Sequence, residues 1–178
     1  MLALALLLAA TSATVSQDGR FRFTISEHHD DVMVLVHAAG PKGHVVGRLA
    51  IHGHNLEARF VAEDNLLITW SCGSPCENAV LLTPQGTSLA SLTFPAVSAD
   101  GRFALDVDVL NLDPGDVTVS VVDLRSGKRS RAERYPALFQ CSESTASATE
   151  VVYSGCGGGR VTHVPFALGG APSEAQRR

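Results

Sequence analysis

Four clusters in this 178-residue chain carry side chains able to do coordination or redox chemistry. His52-Gly53-His54 puts two imidazoles at i and i+2, on one face if a strand continues through them, and Glu57 follows three residues later. Imidazole and carboxylate suit a divalent first-row metal, so His52, His54 and Glu57 are the candidate ligands, against the simpler reading of solvated residues at a strand end. His28-His29-Asp30-Asp31 also offers ligand atoms, but successive strand residues point to opposite faces, and a polar loop suits it better. Asp106 and Asp108 share a face by alternation and lie near Asp113-Pro114-Gly115-Asp116, which could together hold calcium, although the second segment reads as an ordinary turn. The cysteines form two local pairs, Cys72 with Cys76 and Cys141 with Cys156, expected as disulfides across turn-rich segments; other pairings remain open. A zinc site built from all four would lack Cys-x-x-Cys spacing. No Gly-x-Ser-x-Gly, Ser-x-x-Lys, His-Glu-x-x-His or phosphate-binding glycine loop occurs, so no residue is assigned to catalysis and the balance lies against an enzyme.

The elements that must position these residues are strands. Runs rich in Val, Leu, Ile, Phe and Thr, bounded by Gly, Pro, Asp and Asn, recur throughout, and helical spacing is nearly absent. Clear candidates are 20–25, 31–37, 44–51, 58–62, 66–71, 79–83, 103–110, 117–123, 150–153 and 160–166, with weaker ones at 88–92 and 128–134. Ser142–Thr149, rich in Ser, Thr and Ala, is expected to be a loop.

The strands come in repeats. Ser16-Gln17-Asp18-Gly19-Arg20-Phe21 returns as Ser98-Ala99-Asp100-Gly101-Arg102-Phe103, and Glu63-Asp64-Asn65-Leu66 is a worn copy between them. Each is followed by a second turn with glycine, at Gly43, Gly86 and Gly127, giving a period of about forty residues, the mark of stacked four-stranded sheets. Asp18 with Gly19, Asp100 with Gly101, and Gly127 are read as structural turn residues. The segment from Val97 to Phe103, followed by Val121-Val122-Asp123-Leu124-Arg125-Ser126-Gly127-Lys128, resembles a blade of TolB-type and Trp-Asp-repeat-like β-propellers. The likeness is good over about 94–135, partial over 16–50 and faint over 58–92. The proline of the turn is replaced by Gln17 and Ala99, and no strand is expected before the first copy. The fold class is therefore all-β, made of antiparallel four-stranded meanders in a propeller-like or incomplete propeller arrangement, with a β-sandwich as the alternative. Three repeats and a degenerate hairpin over 150–166 fall short of a usual ring, which a C-terminal strand beside the first repeat, or another subunit, could complete.

Residues 1–13 read as an export signal, with an apolar run too short to span a bilayer and cleavage after Ser12 or Ala13, though without a basic residue ahead of it. A single domain over 14–168 and a disordered tail over 169–178 follow. With 14 basic against 18 acidic residues the net charge is −4, which provides no footprint for nucleic acid, and no later stretch reaches membrane-spanning length. One Trp and two Tyr are too few for a stacked carbohydrate platform. These features point to a secreted or periplasmic binding or scaffold module, its partner a protein or cell-envelope ligand or another copy of itself, engaged through corners such as Cys72–Cys76 and Asn111–Asp116. No cofactor is expected apart from a divalent metal in the alternative reading, a metal-binding protein or metal-dependent enzyme using the histidine cluster.

Overall fold

The computed structural model describes residues 12–168 except 17, 29–30, 39–44, 74–75, 110–115, 136–137, 139–140 and 157–158. Most of the expected export segment, the expected tail and much of the Asn111–Asp116 corner lie outside the described residues. The strands form four antiparallel sheets in chain order. The first holds β1 (Ser12–Val15), β2 (Phe21–His28), β3 (Asp31–Ala38) and β4 (Val45–His52). The second holds β5 (His54–Phe60), β6 (Leu66–Gly73), β7 (Cys76–Leu82) and β8 (Ser88–Thr93). The third holds β9 (Ala96–Val97), β10 (Phe103–Asp108), β11 (Val117–Asp123) and β12 (Glu133–Tyr135). The fourth holds β13 (Glu143–Ala146), β14 (Glu150–Cys156) and β15 (Arg160–Pro165). Each is a meander whose sequence neighbours pair, so the fold is all-β and propeller-like.

Sheets stack because their faces are apolar in the right places. Phe23, Val34 and Ile51 of the first sheet bury against Leu66, Ile68, Val80 and Leu82 of the second. The second sheet turns Leu67, Ala79, Leu81 and Leu92 to Ala104, Val122 and Leu124 of the third. The third turns Leu105, Val107, Val117, Val119 and Val121 to Val151 and Val164 of the fourth. Strands in the two middle sheets thus bury both faces, which is why β6 opens on a near-continuous apolar run, whereas β11 alternates valine with Thr118 and Ser120 and buries Ser120 as well.

Turns between strands lace the sheets together. In the first, Ser16 Oγ donates to Asp18 Oδ1 at 2.7 Å, and the Arg20 N–H donates to the same oxygen at 2.8 Å. The copy repeats this, with Ser98 Oγ to Asp100 Oδ1 at 2.6 Å and the Arg102 N–H at 3.1 Å, and these bonds hold the Asp100 carboxyl below its usual range. In the worn copy the buried Asn65 donates instead across to the third sheet's turn, at 2.7 Å to Leu124 O and 2.9 Å to Arg125 O. Arg125 pairs with Glu63 at 3.1 Å, Arg20 reaches Asp64 at 3.7 Å, and the Ala99 N–H donates to Ser147 O at 3.0 Å. The exposed ion pairs contribute little, about 0–1 kcal/mol each; the buried amide matters more.

Several expectations change. A strand, β1, does precede the first turn; its first two residues, Ser12 and Ala13, fall within the expected export segment, whose run of small side chains they continue. β13 forms inside the expected loop Ser142–Thr149, and its four residues are all exposed, so no hydrophobic pattern marks it. The region 128–134 yields only an isolated bridge, Val122 to Arg129, before β12. β15 pairs with β14 rather than beside the first repeat, so no C-terminal strand closes the stack among the described residues.

The last sheet also makes stability pH-dependent. Burial against the third sheet pushes the Tyr153 phenol up to about 12, from an ordinary value of 10.0. Its folded value exceeds its unfolded one, so the neutral phenol stabilises the fold fully below pH 10, and that stability falls as pH rises towards 12. Of order 2 kcal/mol is lost across that window. Denaturant midpoints should fall with pH there, and Tyr153→Phe should flatten part of the slope; Tyr135, also raised by burial and by Glu133, supplies another part. An unchanged slope in the variant would refute the assignment.

Candidate functional site

The first and second sheets do not close over their whole contact. Beside Ile51 they leave a cleft of about 510 Å³, floored by Leu49, Ile51, Val80, Leu82 and the chain's one tryptophan, Trp70. His52, Ser88 and Ser91 rim it, and Arg48 borders it. Five consecutive residues of β4, Arg48 to His52, line this cleft, and β4 is the edge strand of its sheet. Beyond its pairing with β3, an edge strand presents N–H and C=O groups to whatever lies alongside. An apolar floor with a few polar groups, at this volume, is the usual make-up of a recognition site.

Trp70 also borders a smaller cleft of about 290 Å³ between the second and third sheets, with Asn78, Thr93, Asp106 and Asp108. Here Asp106 is already committed. Its Oδ1 accepts the Thr93 N–H at 2.6 Å, and its other oxygen pairs with Arg129. Arg129 donates further to Ser120 Oγ at 3.0 Å and Ser91 O at 2.7 Å. This bridge joins two sheets and sets a guanidinium where a calcium ion would need open carboxylate oxygens, so Asp106 is a structural residue.

The histidine cluster straddles two sheets. His52 is the exposed last residue of β4, and His54 is the first of β5, its side chain outside those described. Gly53, Asn55 at a φ of 52°, and a register irregularity between His54 and Glu57 carry the chain across, so no single strand runs through all three candidate ligands. Glu57 is exposed on β5 opposite Thr69. Burial and the nearby Glu57 charge raise the Glu77 carboxyl. Among the described residues, no group of three His, Cys, Asp or Glu is placed to hold one metal ion. Gly53 itself has a packing reason: a Cβ there would lie 2.5 Å from Trp70 Cδ1 and 2.7 Å from Ser71 O.

Cys141 and Cys156 form a disulfide. Cys72 is disulfide-bonded too, and its sulfur accepts from Asn78 Nδ2 at 2.9 Å; the Cys76 side chain lies outside those described. Sequence reasoning passed over Trp70, Asn65 and Arg129. A lone tryptophan in a strand was the available signal for the first, while Arg129 sits unremarked in the basic run Lys128–Arg131.

No protein-family model and no curated protein matches the chain. Among solved structures, it is similar to the crystal structure of BamB from Moraxella catarrhalis, at 12% identity and a TM-score of 0.45, over 89% of this chain and 50% of that one. The chain therefore spans about half the length of that protein.

Proposed function

We propose that this chain is a binding module that takes an extended polypeptide segment along β4, in the cleft between the first and second sheets. The observation that carries this reading is the outer edge of β4, with which no strand among the described residues pairs, running beside an apolar floor that contains Trp70. A segment pairing with β4 would satisfy backbone groups on both chains, while every second side chain reached Leu49, Ile51, Val80 and Leu82. His52, Ser88 and Ser91 would select polar groups at the rim. The Cys141–Cys156 disulfide supports an oxidising, extracytoplasmic setting. No helix among the described residues is long and apolar enough to cross a membrane.

Because Trp70 is the one tryptophan, its emission is a single signal from the floor of this cleft. A synthetic peptide of alternating valine and threonine should shift that emission to the blue and saturate with a Kd of roughly micromolar order. The same peptide with proline at alternate positions cannot donate its ladder hydrogen bonds and should bind at least tenfold more weakly. Equal responses to both peptides, or none to either, would overturn strand addition at β4.

A further inference from the structure

The two ends of the stack have faces that no described sheet covers, and they are complementary. On the first sheet, alternation away from the core turns Val15, Arg22, Thr24, Met33, Leu35, His37, Val45, Arg48 and Ala50 outward; the pairs Val15 with Arg22, Leu35 with Arg48 and His37 with Val45 fix the register. β3 is apolar on both sides although only Val34's side meets a neighbouring sheet. Among middle strands that pattern accompanies burial of both faces. The charges described on this face are Arg22 and Arg48, both exposed.

On the fourth sheet the outward set is Glu143, Thr145, Glu150, Val152, Ser154, Val161 and His163. Its described anions are Glu143 and Glu150, the latter 3.1 Å from His163 Nδ1. The large hydrophobic residues left exposed among those described are Val15 at 57%, Val45 at 43%, Val161 at 54% and Leu168 at 38%. Two lie on the first end face, one on the last, and Leu168 just past β15. None lies on a middle sheet.

We infer that the basic first face of one copy docks on the acidic last face of a second copy, so that the stack continues head to tail. The contact is heterologous, each copy offering one different face, and it closes into a ring or runs on according to the turn between copies. It buries the exposed valines with Met33 and Leu35, sets two arginines against two glutamates, and covers the apolar second side of β3.

Sedimentation of the full chain over a concentration series tests this. The wild type should associate, and more weakly as salt rises. Arg22→Glu with Arg48→Glu makes both ends acidic, and Glu143→Arg with Glu150→Arg makes both basic; each variant alone should lose roughly a hundredfold in association constant. All four sites are at least partly exposed, and a melting curve confirms that each variant folds. Mixing the two variants should restore association. Since Arg48 borders the β4 cleft, Arg22→Glu alone should act in the same direction, while leaving the Trp70 response to peptide intact. A monomeric wild type at every concentration, association untouched by the reversals, or no recovery on mixing would each overturn the inference.

Discussion

Replacing Gly127 with alanine should cost the fold about 2–4 kcal/mol, part from a left-handed backbone and part from overlap with the neighbouring sheet. Gly127 sits at a φ of 71° in the turn that follows β11, and an added Cβ would lie 2.8 Å from Leu89 O and 2.9 Å from Leu89 Cβ. Both near atoms belong to β8 of the second sheet and one is backbone, so relief requires the two sheets to part. Gly101 supplies the control: its φ is 69°, yet nothing lies within 4 Å of its Cβ position. Gly101→Ala should therefore show the conformational part alone, about 1–2 kcal/mol. At about 2–4 °C per kcal/mol for a chain of this size, the melting temperature should drop clearly further for Gly127→Ala. Equal drops would mean that the turn does not press on Leu89.

Replacing both Cys141 and Cys156 with serine should remove about 3 kcal/mol, the chain-entropy value for a closed loop of this length. The bridge spans 15 positions and links the residue two before β13 to the last residue of β14. β13 buries none of its four side chains, so apart from backbone pairing the bridge is what fixes it in place. Reducing the wild type should cost at least as much, since it also opens the bridge at Cys72, and amide protection in the double variant should vanish first along the Glu143–Ala146 pairing with β14. A reduced protein with an unchanged denaturant midpoint would show that β13 holds by pairing alone.

The middle of the fold was legible because its strands are dense in β-prone residues: Leu66 to Trp70 is an almost unbroken apolar run, and Val117 to Val122 sets valines between Thr118 and Ser120. The Asp-Gly turns were legible for a related reason, since their bonds close within six residues and need no partner from afar. β13 carried no such mark, because exposed Glu, Ser, Thr and Ala have no pattern to show. The cleft was out of reach altogether. Leu49, Trp70 and Val80 become neighbours only when two sheets stack, and local periodicity says nothing of that. The same distance in sequence hid the pairing of Arg129 with Asp106. Gly53 between two histidines suggests coordination on spacing alone; the tryptophan ring pressed against it supplies a reason unrelated to metal.

Among the described residues, the apolar clusters join each sheet to its sequence neighbours, first to second, second to third, third to fourth. Such a stack is a one-dimensional chain of units, whose stability is a sum of nearest-neighbour terms and whose cooperativity is limited by its weakest junction. Damage at one junction divides the molecule into two blocks rather than loosening it everywhere, and the terminal sheets, each held from one side, are the natural places for unzipping to begin.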